Sequence, residues 1–311
     1  MNGTANRKPA GKNKKVIKKY VFVWSILLYP TVLFLIFYLG INLNSILLAF
    51  QKIDIIDNTK AFVFLDNFKD FISSARTDML LKNSLVNSLK MYAINLVICV
   101  PLYIIFSYYI YKKFFGSKLM RIIVMLPTIV SSFIICLLFK KFVESALPDL
   151  VFKLFRVKMP NLLTDARYTF GTSLFYMIWI SFSTSLIVYP NAMNEVSEEV
   201  IESCQLDGCN LFQELWFIIL PLIYPTISTF LITGVAGIFT NGGPIFSFYM
   251  YAAYPEVYNA GYYFTVKTLM VKSSAEYPFL AAGGVILTLI MAPLTYLVKY
   301  LLEKYGPVTE Y

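Results

Sequence analysis

Stretches of about 20 apolar residues recur along this chain, and each is long enough to cross the hydrocarbon core of a bilayer as a helix. Of the 311 residues, 58% are hydrophobic and only 14% are charged, whereas soluble domains typically carry about 25% charged residues. The sequence therefore predicts an all-α integral membrane protein with about six transmembrane helices. Pro221 and Pro225 are expected to kink the fifth. The predicted spans cover about residues 20–50, 84–111, 120–139, 170–189, 211–239 and 277–302.

The net charge of +9 is unevenly distributed, and much of it lies beside the predicted spans. Residues 1–19 contain seven Lys or Arg residues and no acid, which predicts a basic cytoplasmic tail, and residues 112–121 form a second basic stretch. Because basic loops tend to stay in the cytoplasm, this placement explains the charge more simply than nucleic-acid binding does. With six spans, both termini are expected in the cytoplasm. Residues 140–167 depart from this rule, since they are basic but fall outside by alternation.

The residue types that many enzyme sites need are missing from the sequence. It contains no histidine and no Cys-x-x-Cys pair, so neither the usual zinc spacings nor histidine acid–base catalysis is available. Gly11-Lys12 resembles the end of a phosphate-binding loop, but Asn6 and Asn13 stand at two of its defining positions. We therefore expect no catalytic residues, no metal site and no cofactor bound by this chain. The four cysteines predict no disulfide framework.

A polar segment, residues 195–209, lies between the fourth and fifth predicted spans. Read as a helix, it places four carboxylates on one stripe, at Glu195, Glu198, Glu199 and Glu202. The opposite side carries Val196, Val200 and Cys204. Ser197 can cap the N-terminus of this helix. Asp207-Gly208 is expected to end it, with Gly208 permitting a sharp exit toward the fifth span.

This segment resembles the motif of the integral membrane subunits of bacterial ABC importers. Ser or Cys stands where the family motif has Ala. The matching residues are Glu202-Ser203-Cys204, Gln205-Leu206, Asp207-Gly208-Cys209, Gln213, Leu215 and Leu220-Pro221. The resemblance implies a cytoplasmic coupling helix that sits in a groove of a separate ATP-hydrolysing subunit. The residues that it assigns to ATPase coupling are Glu198, Glu199, Glu202, Ser203, Cys204, Asp207, Gly208 and Cys209.

Two shorter stretches resemble the carbohydrate-uptake branch of this family, the maltose, multiple-sugar and polysaccharide permeases. They are residues 62–68, which read FVFLDNF, and residues 240–244, which read TNGGP. The first lies within residues 51–82, which are expected to form an exposed loop. The resemblance implies a permease of the bacterial cell membrane that imports a carbohydrate, such as an oligosaccharide, by alternating access.

The same resemblance implies a set of partners. They are a second homologous permease subunit, two ATP-binding subunits that hold ATP and Mg, an extracellular solute-binding protein, the carbohydrate substrate and the lipid bilayer. No nucleic acid is expected. The residues expected to line the substrate path are Ser183, Thr229, Thr233 and Asn241. The many tyrosines of residues 245–276 are expected at the membrane interface.

Charge in the polar segment suggests what its partner looks like. Between Arg167 and Lys267 the sequence has no Lys or Arg, so the segment is expected to present carboxylates that have no local counter-charge. A basic groove on the ATPase partner would complement them, with Glu202 paired to one of its cations. The carboxylates are Glu195, Glu198, Glu199, Glu202, Asp207 and Glu214.

Other functions remain open at this point. A permease for glycerol phosphate or a polyamine belongs to the same class, although an anionic substrate would favour basic residues within the spans and only Lys90 comes near. A non-transporting sensor or scaffold could also use an acidic loop to bind a partner. A membrane enzyme is the weakest alternative, because no paired carboxylates, nucleophile motif or metal cluster occurs at membrane depth.

Overall fold

The structure is a computed structural model that describes residues 10–55, 57 and 59–307, with side chains from residue 18 onward. Residues 1–9 of the predicted basic tail lie outside this part of the chain. The described chain is mostly helical, and its two short strands pair antiparallel, with Gln51 opposite Phe62 and Ile53 opposite Lys60.

The elements follow one another closely. In chain order the α-helices are α1 (Ala10–Leu33), α2 (Ile41–Ala49), α3 (Asp66–Thr77), α4 (Met79–Ile94), α5 (Val100–Tyr111), α6 (Ser117–Ile129), α7 (Ser132–Lys141), α8 (Leu147–Phe155), α9 (Ala166–Asn194), α10 (Glu198–Leu206), α11 (Leu211–Gln213), α12 (Leu220–Leu222), α13 (Tyr224–Ala236), α14 (Ile245–Tyr249), α15 (Ala260–Leu269) and α16 (Tyr277–Tyr305). The strands are β1 (Gln51–Ile53) and β2 (Lys60–Phe62). π-Helical segments at Phe34–Gly40, Asn95–Cys99, Phe142–Ala146 and Glu214–Ile219 connect helices, and Ser274–Glu276 forms a 3₁₀ turn.

Several helical stretches are long and apolar enough to cross a membrane. Unbroken ones are Lys18–Ala49, Met79–Tyr111, Ala166–Asn194 and Ser274–Tyr305. Two further pairs bend at a short break: Ser117–Ile129 with Ser132–Phe155, by 108°, and Leu211–Leu222 with Tyr224–Ala236, by 68°. If each bent pair is one span, the described residues hold up to six spans. The predicted all-α membrane fold is confirmed.

Local backbone geometry accounts for both bends. After Ile129 the chain becomes extended at Val130 (φ −87°, ψ 145°), so the helical structure bends within the predicted third span, residues 120–139. The second bend falls at Ile223 (φ −89°, ψ 4°), close to Pro225, which has no N–H for the helical ladder. The kink expected in the fifth span is confirmed.

One compact unit comprises residues within Met1–Phe68 together with Ser273–Val285. Its hairpin is held by Asn67, whose buried amide donates hydrogen bonds to the backbone carbonyls of Ala49 (2.8 Å) and Gln51 (2.7 Å). This buried amide belongs to the aromatic stretch that resembles sugar permeases, so that stretch has a structural role in shaping the hairpin.

Residues 51–82 were expected to form an exposed loop, and this prediction is wrong. The range contains the hairpin, α3 and the first turn of α4. Phe68 and Phe71 lie on one face of α3 because residues three positions apart share a face of a helix, and both are buried. The amphipathic pattern of α3 was missed in the sequence because acidic and basic residues alternate along it, at Asp66, Lys69, Asp70 and Arg76.

The second compact unit comprises Lys69–Lys272 and residues of Ile286–Tyr311. Its tyrosines between residues 245 and 276 include three buried ones, Tyr258, Tyr262 and Tyr263. The Tyr262 hydroxyl donates to the carbonyl of Met250 at 2.9 Å, so this phenol has a partner inside the protein. The expectation that a membrane interface explains all of these tyrosines is therefore wrong.

Candidate coupling segment and membrane cavity

Helix α10 occupies the middle of residues 195–209. Ser197 precedes it, but the Ser197 side chain makes no capping hydrogen bond. Val196 and Ile201 are buried in one core with Leu215 and Ile219 of the following membrane helix. Val200, predicted to lie opposite the carboxylate stripe together with Val196 and Cys204, is exposed. Because Val196 lies before the first residue of α10, its position does not indicate which face of the helix is buried. The buried face is the one that carries Ile201 and Cys204.

The exposed surface of α10 and its exit carries most of the residues predicted to couple to an ATPase. They are Glu198, Glu199, Glu202, Ser203, Asp207 and Gly208. Among the ion pairs within the described chain, none involves these carboxylates. Leu206, at the end of the helix, is 89% exposed. The segment thus presents acidic groups and one apolar side chain to whatever lies beyond it.

The chain leaves α10 through a tight turn. Gly208 has φ +79°, the left-handed region in which a side chain is costly. The next helix then begins with a reciprocal capping box: the Asn210 side chain accepts from the Gln213 N–H, and the Gln213 side chain accepts from the Asn210 N–H, both at 2.9 Å. The motif residue Gln213 therefore has a local structural function.

Cys204 and Cys209 form a disulfide across this exit, with their Cα atoms 5.6 Å apart. Composition alone predicted no disulfide framework, and this short-range bond is a correction. The two positions lie five residues apart in the chain, and the turn at Gly208 brings them together. Cys99 and Cys136 are free and buried.

Glu214 was expected among the carboxylates without a counter-charge, and this prediction is wrong. The residue is 1% exposed, and its oxygens lie 2.6 and 2.8 Å from Nζ of Lys112. The Tyr108 hydroxyl donates to the same carboxylate at 3.1 Å. The partner was missed because it lies 102 positions earlier in the chain, in the basic turn that follows α5.

A cavity of about 420 Å³ lies among α4, α5, α9 and α13. Its volume falls within the roughly 300–1,000 Å³ of small-ligand sites. None of its described lining residues is Lys, Arg, Asp or Glu. Its polar lining is supplied by Ser88, Tyr92, Asn95, Tyr103, Ser181, Thr184, Ser185, Tyr189, Thr233, Asn241 and Asn259. Such a surface can exchange hydrogen bonds with an uncharged polar solute.

Two of the four residues predicted for a substrate path line this cavity, namely Thr233 and Asn241. The other two lie elsewhere. Ser183 is buried and its hydroxyl donates to the carbonyl of Val124 on α6, so it joins two helices. The Thr229 hydroxyl donates to the Pro225 carbonyl one turn earlier, at 2.9 Å, outside the cavity lining.

Sequence reasoning missed two amides that line the cavity. Asn95 donates to the Tyr103 hydroxyl at 3.4 Å. Asn259 caps α15 by accepting from the Tyr262 N–H at 2.8 Å. For Asn95 the available signal was an amide inside an apolar run. Across the described residues, no three His, Cys, Asp or Glu side chains are grouped so as to hold a metal ion.

One wall of the cavity depends on a close backbone contact. A Cβ added to Gly261 of α15 would lie 2.4 Å from the nitrogen of Gly242 and 2.7 Å from the oxygen of Thr240. These residues flank Asn241, so the absence of a side chain at Gly261 lets the 240–243 loop lie directly on α15. The Gly-rich stretch that resembles sugar permeases therefore shapes the cavity.

Residues 72–306 match the model of the family described as "Binding-protein-dependent transport system inner membrane component". The multiple sugar-binding transport system permease protein MsmF of Streptococcus mutans is 23% identical over 241 residues, 74% of this chain and 81% of MsmF. The maltose/maltodextrin transport system permease protein MalF of Shigella flexneri is 26% identical over 141 residues, 42% of this chain and 27% of MalF. The latter match thus spans less than a third of that relative.

Among solved structures, a chain of a bacterial ABC transporter involved in the import of the acidic polysaccharide alginate has the same fold. The TM-score is 0.75 at 20% identity, and the match covers 94% of this chain and 99% of that chain. A crystal structure of a bacterial alginate ABC transporter in complex with an alginate pentasaccharide-bound periplasmic protein matches with the same values.

Proposed function

The chain belongs to the family of binding-protein-dependent transport system inner membrane components, and from that premise we propose that it is a permease subunit that imports a carbohydrate. ATP is hydrolysed on two separate subunits that hold ATP and Mg, and a second homologous permease completes the path. Both termini face the cytoplasm. The observation that carries this proposal is α10, whose exposed carboxylates have no cationic partner among the described residues while its buried face joins the core of the membrane helices.

The chemistry of the cavity supports a carbohydrate as substrate. Hydroxyl and amide side chains can both donate and accept hydrogen bonds, as sugar hydroxyls do, and Tyr92 and Tyr103 add aromatic faces. Glycerol phosphate or a polyamine would call for an opposite charge, and the described lining has none. The relatives named for multiple sugars and for maltodextrin support the same substrate class.

The proposed mechanism is alternating access. Closure of the ATPase pair draws α10 and its counterpart in the second permease together, and the path opens outward toward the loaded binding protein. A basic groove on the ATPase receives Glu198, Glu199 and Glu202. The side chain of Leu206, 89% exposed, enters the same groove as an apolar anchor. Hydrolysis then releases the two coupling helices and resets the path.

The test uses the complex isolated through a tag on this chain and reconstituted in liposomes. ATP hydrolysis and uptake are measured with the binding protein and a panel of solutes: maltodextrins, galactooligosaccharides, alginate oligosaccharides, glycerol phosphate and spermidine. Stimulation of both activities by a maltodextrin or a galactooligosaccharide is the expected result, and stimulation by alginate oligosaccharides, which are acidic, would keep the carbohydrate assignment but contradict the argument from the uncharged lining. Stimulation by glycerol phosphate or spermidine would overturn the carbohydrate assignment, although the permease assignment would stand.

The alternative of a non-transporting scaffold predicts a different outcome. The chain would then copurify with a partner that has no ATPase activity, or with an ATPase that no loaded binding protein stimulates. Failure of all five solute classes, together with absence of an ATPase from the isolated complex, would overturn the proposed function in favour of the scaffold.

A further inference from the structure

We propose that the Lys112–Glu214 ion pair is a mechanical link in coupling, which makes α5 follow the movement of α10. The two residues are positioning residues, since neither lies in the cavity lining or on the exposed face of α10. This inference rests on the proposed function, because it assigns a path for motion that an ATPase would impose at α10.

The geometry of the pair is that of a closed contact. Both oxygens of Glu214 lie within 2.8 Å of Nζ of Lys112, and the Tyr108 hydroxyl donates to one of them. The side chains of Lys112 and Glu214 are 15% and 2% exposed. Nζ also lies 5.9 and 5.8 Å from the ring centroids of Tyr108 and Tyr111. With little water to replace either partner, separating the charges is costly, so the two backbones move together.

The pair joins two well-defined points of the chain. Glu214 is the first residue of the π-helical segment Glu214–Ile219 and directly follows the capping box of Gln213. Wide turns of this kind are frequent at functional sites. Lys112 closes the C-terminus of α5, where its N–H donates to the carbonyls of Tyr108 and Ile110. A displacement of α10 therefore reaches the end of α5 through a short, hydrogen-bonded route.

The far end of this route is the cavity. Tyr103 on α5 and Asn95 just before it both line the cavity, and Tyr103 shares a buried core with Ile201 of α10. By contrast, the Lys140–Glu144 pair joins two turns of continuous helical structure, with N and O atoms 4.0 Å apart. Lys112–Glu214 differs because it connects the coupling segment to a helix that carries cavity residues.

The experiment measures amide hydrogen exchange of the isolated complex with and without the non-hydrolysable ATP analogue AMP-PNP. In the wild-type complex, the analogue should change exchange in peptides covering residues 198–214 and residues 100–113 together. In Glu214→Gln and Lys112→Met, the change at 198–214 should persist and the change at 100–113 should be clearly smaller than in the wild type, with the remainder carried by the core that Ile201 shares with Tyr103. Uptake per ATP hydrolysed should fall about fivefold or more, the lower end of coupling between sites.

Two further variants separate positioning from general stability. Lys112→Arg keeps the charge and should behave as the wild type. Glu144→Gln removes the Lys140–Glu144 pair and should leave the exchange of both peptides responsive to the analogue. If residues 100–113 respond in Glu214→Gln as strongly as in the wild type, the inference is overturned while the proposed function stands. If residues 198–214 do not respond in the wild type, the coupling assignment itself fails, and the inference fails with it. Should Glu214→Gln not assemble, the contrast between Lys112→Met and Lys112→Arg decides in the same way.

Discussion

The coupling segment and the membrane cavity differ in what completes them. Residues 198–208 are continuous in sequence and present an exposed acidic face, and within the described chain their carboxylates have no cationic partner. The cavity is assembled from separate helices, its described lining has no charged residue, and its Asn95 already donates a hydrogen bond to Tyr103. The first region leaves its charges exposed, whereas the second is completed by other helices of this chain. Substitutions in the two regions should therefore have different consequences.

The largest expected effect breaks the cavity. Gly261→Ala places a methyl group 2.4 Å from a backbone nitrogen, and backbone cannot give way as a flexible side chain can. Overpacking typically costs about 1–3 kcal/mol, occasionally more, so the melting temperature in detergent should fall and uptake should be lost. Thermal denaturation followed by size-exclusion chromatography measures the first effect.

Gly171→Ala is the matched control for that substitution. Gly171 lies in α9, and a Cβ there meets nothing within 4 Å. Alanine in a helix is favoured over glycine by about 0.5–1 kcal/mol, so this variant should melt no lower than wild type. Equal melting temperatures for both variants would show that the loop is not held against α15 as described.

The next effect strikes the coupling segment and spares folding. Glu202 is exposed, so Glu202→Arg should change the free energy of unfolding by less than about 0.5 kcal/mol. In a basic groove of the ATPase, the new arginine would face charges of the same sign, and this repulsion costs several kcal/mol of binding free energy. Uptake should therefore fall more than about tenfold. Uptake and copurification of the ATPase are measured together. Glu256→Arg, also exposed, is the control that should transport normally, and wild-type uptake by Glu202→Arg would contradict the coupling assignment.

The same contrast explains what could be predicted from the sequence. The residues predicted to couple to an ATPase lie within one short segment, so their spacing carried the motif, and the helix, its acidic face and the turn at Gly208 could be predicted from it. The partner of Glu214 could not be predicted from the sequence, because Lys112 lies at the C-terminus of α5, 102 positions earlier in the chain. Likewise, hydroxyls at Ser183 and Thr233 look equivalent in sequence, and only the rotation of each helix decides that Ser183 contacts Val124 while Thr233 faces the cavity.

A smaller effect tests which hydroxyls reach the substrate. Thr233 and Thr229 lie one turn apart on α13, and each donates to the carbonyl four residues earlier, at 2.8 and 2.9 Å. Thr233→Val removes a hydroxyl from the cavity, and one hydrogen bond is worth about 1 kcal/mol. The concentration of loaded binding protein or sugar that gives half-maximal uptake should therefore rise about fivefold. Thr229→Val loses the same kind of local hydrogen bond outside the cavity and should leave this half-maximal concentration unchanged. Equal shifts in the two variants would mean that the hydroxyls act through the helix and not through the solute.

The smallest effect concerns the cysteines at the exit of α10. Cys99 and Cys136 are buried and Cys204 is bonded to Cys209, so protein purified in air should resist a maleimide reagent at all four positions. After mild reduction, Cys209, which is only partly buried, should react first, while α10 keeps its place because Ile201 remains in the core. Mass spectrometry of the labelled peptides gives the order. Reaction of Cys209 before reduction would show that the exit is held by the capping box and the turn at Gly208 alone, and that the covalent bond is not needed to shape the coupling segment.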